Sequence, residues 1–270
     1  NFTLIINNLK IIIYMKTIIL AGGYGTRLGN ITEAIPKPMV KIGNKPIIWH
    51  IMKIYSHYGY KDFIISLGYK AEVIKEYFYN YDIYNSDYRI NLGTKEINLL
   101  NNQEEADWIV TLVDTGLDTL KGARIKRLEK YLDDINMITY GDGVADINIA
   151  NLIEFHKSHN KILTITGVHA PARFGEIIEK NNKIISFQEK PELSGGSING
   201  GFMVFNKKLL DYLTIDEKCD FEKGPLEKLA QKGEIMLYKH PGKWACMDHE
   251  RDVVYLNKLW NENKAFWKVW

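Results

Sequence analysis

The sequence predicts an α/β fold: a mostly parallel, Rossmann-like sheet with helices on both faces, extended by mixed or antiparallel strands. Three observations predict it. From Thr17 to Tyr140, short apolar runs alternate with helical stretches, the rhythm of βαβ units. Two glycine-rich turns follow apolar runs, where open α/β sheets place their ligands. After Asn160 the rhythm gives way to short strands separated by Gly, Asn and Pro.

The elements follow in order. Thr17–Leu20 is the first strand. A helix covers Ile47–Tyr58, with Pro46 before it and Gly59 after it. Asp62–Leu67 is a strand, Ala71–Tyr79 a helix, Trp108–Val113 a strand, Gly122–Tyr131 a helix and Met137–Tyr140 a strand. The extension comprises short strands at Leu163–Val168, Ile177–Ile178, Ile184–Glu189 and Gly201–Phe205. Pro225–Lys232 reads as helical, and a last helix begins at Asp252–Trp260. The aromatic tail Ala265–Trp270 packs on the body or on a partner subunit.

Length and composition narrow the function. With 270 residues, the chain suits one large α/β domain. Its net charge of +2 carries no basic tract of the kind that follows nucleic acid, so a metabolite ligand fits better than a polymer or a membrane. Cys219 and Cys246 form no CxxC pair, which argues against zinc and fits a reducing cytoplasm; each reads as a small buried hydrophobe. His156 and His159 lack an acidic partner and read as surface or core histidines. Residues 1–14 are apolar but broken by Asn7-Asn8 and Lys10, too short for a membrane helix and without a cleavage site. They are expected to be a non-native or disordered extension, with residues 15–270 forming a single domain.

The strongest chemical signal is Leu20-Ala21-Gly22-Gly23-Tyr24-Gly25-Thr26-Arg27, directly after the first strand, with Lys37 ten residues further on in Pro36-Lys37-Pro38-Met39. Glycines let the backbone approach a ligand that a Cβ would block, and consecutive amides form an anion-binding concavity. Arg27 adds a planar donor fork and Lys37 a compact charge. A tight turn is the competing reading, but a turn has no need of two cations. Neither a P-loop nor a dinucleotide fingerprint is present, since residue 28 is Leu. Asp142, between Gly141 and Gly143 at a strand end, reads as a Mg²⁺ ligand or as a turn aspartate. Asn199-Gly200-Gly201 offers amide groups for hydroxyls, or a hairpin turn. Lys190, extended by Pro191, can be aimed at a phosphate or stand solvated at a strand end. The Thr and Asp of Thr111 to Gly116 could read a base edge or order a loop, and Arg124 stands beside them as a nucleotide-site candidate. Arg124 sits among Lys121, Lys126, Arg127 and Glu129, where a solvated face is the alternative.

These segments resemble the sugar-1-phosphate nucleotidylyltransferases. The resemblance extends through Trp49-His50-Ile51-Met52-Lys53, Gly68-Tyr69-Lys70, Thr111-Leu112-Val113-Asp114-Thr115-Gly116, Tyr140 to Asp146, Arg173-Phe174-Gly175, Phe187 to Pro191 and Asn199 to Phe202. Val-Asp-Thr-Gly and Gly-Asp-Gly-Val-Ala-Asp are similar to the glucose-1-phosphate cytidylyltransferase branch; a thymidylyl- or uridylyltransferase is the alternative, and a non-catalytic nucleotide-sugar-binding subunit a distant one. The resemblance implies CTP and glucose 1-phosphate as substrates, CDP-glucose and pyrophosphate as products, and Mg²⁺ as cofactor. It implies catalytic Arg27 and Lys37, and a nucleotide site from Leu20, Ala21, Gly22, Gly23, Tyr24, Gly25, Thr26, Thr111, Gly116, Arg124 and Gly141. Glu189, Lys190, Asn199 and Gly200 would hold the sugar phosphate, and Asp142 and Asp248 the metal. Asp248 rests on the resemblance alone. A cytoplasmic homo-oligomer, a hexamer, serving bacterial surface polysaccharide is also implied. No Ser/His/Asp or Cys/His constellation is present. None is needed when the attacking phosphate oxygen is already anionic.

Overall fold

A computed structural model describes residues 2–6, 9–13, 15–101, 105–169, 176–180, 183–188 and 196–270, with backbone alone at 2–6, 9–13, 176–180 and 186–188. Seven strands form the central sheet: β1 (Thr17–Leu20), β2 (Asp62–Leu67), β3 (Ile109–Asp114), β4 (Ile135–Tyr140), β5 (Leu163–Val168), β6 (Ile198–Asn206) and β7 (Ile235–Lys239). Their order is β7-β5-β6-β4-β1-β2-β3. Strand β1 lies inside the sheet, parallel to its neighbours β2 and β4, with Leu20 opposite both Ser66 and Tyr140. The carboxyl ends of three strands therefore line up, and the turns after them meet.

Alternation along the strands builds two cores. Ile19, Phe63, Ile65 and Met137 face one side and pack with Ile48, Ile51, Met52 and Tyr55 of helix α1 (Ile47–His57). Ile18, Leu20, Ile64 and Ile138 face the other and pack with Ile125 and Leu128 at helix α2 (Lys121–Arg127). Because both faces are covered, these strands read as continuous apolar runs.

The expected mixed extension divides between the central sheet and a separate ribbon. Leu163–Val168 and the strand around Gly201–Phe205 join the central sheet, where β6 runs antiparallel to both β4 and β5. Its start, Ile198 to Gly201, is thereby delivered to the carboxyl end of β4. Residues Glu176–Lys180 and Lys183–Gln188 instead pair with each other as a separate ribbon, as do Phe2–Ile6 and Leu9–Ile13.

Helix boundaries shift where local chemistry intervenes. The stretch expected as Gly122–Tyr131 breaks at Leu128 into α2 and a 3₁₀ turn, Glu129–Tyr131. Only Glu227–Gln231 of the stretch expected as Pro225–Lys232 is α-helical, because Gly224 at φ +93° and Pro225 kink the chain before it. Helix α3 (Glu250–Asn261) starts two residues before Asp252, whose carboxylate accepts from the His249 and Asp248 amides at 2.8 and 3.0 Å.

The C-terminal aromatics pack on the body. Trp267 is fully buried, and its indole N–H donates to Nδ1 of buried His50 at 3.3 Å. Nε2 of His50 donates to the Ile42 carbonyl at 3.0 Å. Burial outweighs these bonds and pushes the His50 pKa down to about 4. Unfolding returns the ring to its ordinary value, so the unfolded chain binds a proton that the folded one refuses. Stability should therefore fall as pH drops from about 6.5 to 4, by up to about 3 kcal/mol from this group. Thermal unfolding of wild type and His50→Gln across that window should show a shallower acid slope in the variant; parallel slopes refute the assignment.

Candidate functional site

A cleft of about 720 Å³ opens at the aligned strand ends. One wall is the glycine loop, from Leu20 to Arg27. Gly22 is glycine for an internal reason: a Cβ there would lie 2.2 Å from Nη1 of Arg124. Gly25 holds φ +69°. Gly23 has neither reason, since a Cβ there would meet nothing within 4 Å. Its bareness keeps the cleft floor open. The amides of Gly23, Tyr24 and Gly25 have no hydrogen-bond partner among the described residues, and all three residues line the cleft, where consecutive free amides can serve an anion.

The opposite wall carries charge. A short antiparallel ribbon pairs Gly143–Ala145 with Trp244–Cys246, and the Met247 amide donates to the Asp142 carbonyl at 2.9 Å. This register sets Asp248 beside Asp142. Nζ of Lys37 lies between them, 2.6 Å from Asp142 Oδ2 and 2.5 Å from Asp248 Oδ1. Arg27 reaches Asp248 Oδ2 at 3.0 Å from the solvent side. Burial alone would raise the Asp248 carboxyl, but the hydrogen bond and charge of Lys37, with Arg27 behind them, hold it below the usual carboxylate range. Burial would likewise lower Lys37; Asp142 and Asp248 outweigh it and raise the ammonium. Ligand atoms of Asp142, Asp248 and Cys246 lie within 4.8 Å of one another. Two carboxylates this close call for a cation between them. Their hard oxygens suit Mg²⁺, and in the structure the lysine fills that electrostatic role. Burial pushes the Cys246 thiol well up, aided by Asp142, which makes it a poor ligand beside them.

Behind the loop, Arg124 is 4% exposed. Its guanidinium donates to the carbonyls of Leu67, Gly116, Gly22 and Leu117 and to Thr115 Oγ1, at 2.7 to 3.0 Å. The solvated-face alternative for this residue is thus wrong. It ties the glycine loop to the segment after β3 while still lining the cleft. Tyr24 adds a second tie at the rim, donating to Asp118 Oδ1 at 2.6 Å.

Most of the residues singled out from sequence converge here: Leu20 to Arg27, Lys37, Arg124, Gly141, Asp142, Asn199, Gly200 and Asp248 all line the cleft. Thr111 does not; it sits mid-strand in β3 opposite Ile64. Gly116 lies just behind the wall, at φ +94°. Glu189, Lys190 and Arg173 to Gly175 lie outside the described residues. Asp118, Thr119, Lys121, Tyr140, Glu222 and Trp244 also line the cleft, and sequence reasoning gives none of them a role in the site. His156 and His159 both bond Thr164 Oγ1 at 2.8 Å, a structural use. A second concavity of about 900 Å³ at the outer sheet edge is lined by Tyr79, Tyr81 and Trp108 with Lys75, Glu76, Asp82 and Glu105, and has no glycine in its lining.

A glycine cradle for phosphate facing a carboxylate pair at strand ends is the site of a nucleotide-transferring α/β protein, and the comparisons agree. Residues 16–265 match the nucleotidyl transferase family model, and the chain belongs to that family. It is 49% identical to the glucose-1-phosphate cytidylyltransferase of Salmonella typhimurium, covering 95% of this chain and 100% of that one. It is 42% identical to a probable glucose-1-phosphate cytidylyltransferase of Bacillus subtilis, over 95% of this chain and 100% of that one. Among solved structures, HddC from Yersinia pseudotuberculosis superposes with a TM-score of 0.66 at 25% identity, covering 91% of this chain and 99% of that one. No helix among the described residues is long and apolar enough to cross a membrane.

Proposed function

We propose that this chain transfers a cytidylyl group from CTP to α-D-glucose 1-phosphate, giving CDP-glucose and pyrophosphate. The observation that carries the reading is the Lys37 ammonium, with Arg27 meeting the same Asp248, in one cleft with three glycine-loop amides that have no partner among the described residues. Relatives named for this reaction match at 49% and 42% identity over nearly the whole chain and favour cytidine and glucose over other pairings. In this reading an oxygen of the sugar phosphate attacks the α-phosphorus in line, and pyrophosphate leaves. The amides of Gly23, Tyr24 and Gly25, with Arg27, hold the triphosphate and stabilise charge developing on the leaving group. Lys37 turns from the carboxylates toward the α-phosphate. Asn199 and Gly200 hold the sugar. Mg²⁺, held by Asp142 and Asp248, would supply charge neutralisation across the reacting phosphates. With an anionic nucleophile, rate enhancement comes from positioning and electrostatics. A homo-oligomer belongs to the same proposal.

The test is direct. Purified protein with Mg²⁺, glucose 1-phosphate and each of CTP, UTP, dTTP, GTP and ATP in turn should release pyrophosphate fastest with CTP. Faster release with UTP or dTTP overturns the base assignment, and none with any nucleotide overturns the chemistry.

A further inference from the structure

Asn199 stands exposed on the cleft wall with its amide already fixed on two sides. Oδ1 accepts from the Gly201 amide at 2.9 Å, and Nδ2 donates to Tyr140 Oη at 3.2 Å. An asparagine amide has two N–H donors, so one remains for the cleft. The phenol that receives the first is itself oriented. Tyr140 Oη donates to Glu222 Oε1 at 2.7 Å. Lys121 ion-pairs with the same oxygen, and its ammonium lies 5.2 Å from the Tyr140 ring centroid. The ring rests against Gly201, where a Cβ would come within 2.7 Å of Tyr140 Cδ2.

Direction matters in this chain. A hydroxyl has one proton. With that proton given to Glu222, Oη can only accept from Asn199. Flipping the amide would set Oδ1 against an oxygen with no proton to offer, and would also break the Gly201 bond. The carboxylate thus reinforces, through the tyrosine, the orientation that the Gly201 amide also favours. Nothing about Tyr140 as an aromatic requires this; a phenylalanine would fill the same space against Gly201.

We propose that Tyr140, held by Glu222 and Lys121, is a positioning residue that aims the remaining N–H of Asn199 at a hydroxyl oxygen of the sugar phosphate. The inference rests on the reading of Asn199 as a sugar-side residue. A neutral amide donor suits an uncharged hydroxyl, and losing its orientation weakens sugar binding without touching the triphosphate cradle.

Tyr140→Phe, Asn199→Ala and the double variant test it by steady-state kinetics with each substrate varied. Tyr140→Phe should raise KM for glucose 1-phosphate about three- to tenfold, the worth of one hydrogen bond, and leave KM for CTP and the thermal midpoint unchanged. On the Asn199→Ala background the tyrosine substitution should add nothing further. An unchanged KM for glucose 1-phosphate in Tyr140→Phe while Asn199→Ala raises it overturns the inference and leaves the sugar-side reading standing. Fully additive effects, or an equal rise in both KM values, also overturn it. If Asn199→Ala itself leaves KM for glucose 1-phosphate unaltered, the sugar-side reading fails and the inference with it.

Discussion

Lys37→Ala should lower kcat for pyrophosphate release by about 10²–10³ with the fold intact, the usual consequence of removing one preorganised donor from developing charge. The residue is placed for a large effect. Its side chain is only 14% exposed, and its ammonium touches both Asp142 and Asp248. Removing it takes a cation from the reacting phosphates and sets two carboxylates against each other. The second consequence is measurable without turnover: the free variant should bind Mn²⁺ more tightly than wild type, because no tethered ammonium competes for the carboxylates. Paramagnetic resonance of free Mn²⁺ reads this directly. Acid enters through Asp248, whose folded-state carboxyl is held below its ordinary value. The stability it contributes is present at neutral pH and is lost as pH falls through the folded value. Near-normal turnover in Lys37→Ala would sink the proposed role, whatever the Mn²⁺ result.

Fold and site were legible to different depths. Turns that follow their own strand could be read locally, which is why Leu20 to Arg27 and Gly141 to Gly143 fall in the cleft as expected. Asp248 could not be read this way. It reaches Asp142 only through the pairing of Gly143–Ala145 with Trp244–Cys246, and a three-residue ribbon leaves no periodicity to detect. Glu222 is similar, arriving from a kinked turn whose only local signal is Gly224-Pro225. The antiparallel extension was legible, but not the insertion of β6 between β4 and β5, because alternation reveals a strand but not its partner. Strand β7, Ile235–Lys239, went unlisted although its apolar run follows Gly233. Arg124 was noticed for its charge, yet the carbonyls that bury it come from three separate turns. A helix face crowded with Lys121, Lys126 and Arg127 disguised that.

Arg124→Met should destabilise the protein by about 3–5 kcal/mol, since four carbonyls and a hydroxyl lose a charged donor at a residue that is almost fully buried. In a chain of this size that is a fall of roughly 6–15 °C in the thermal midpoint. The methionine fills much of the volume, so the effect isolates the hydrogen bonds from a cavity. Arg124→Lys should fall between, because an ammonium has three donors and no fork. Function should follow through geometry. The Gly22 carbonyl, 3.0 Å from Nη2 of Arg124, is the anchor of the glycine loop, and the Leu67, Gly116 and Leu117 carbonyls anchor the neighbouring turns to the same group. With that bond gone, the loop keeps only its weaker ties, among them Tyr24 to Asp118 and the Tyr69 amide to the Gly22 carbonyl, and KM for CTP should rise at least about tenfold. A cross-check lies in the glycines that make room for the guanidinium. A Cβ on Gly22 or Gly68 would lie 2.2 or 2.5 Å from Arg124 Nη1. Gly22→Ala should therefore be severely destabilising in wild type and much less so in Arg124→Met, a strongly non-additive pair. Calorimetry on the four proteins decides it: equal costs of Gly22→Ala in both backgrounds would mean that the loop, not the arginine, demands the glycine.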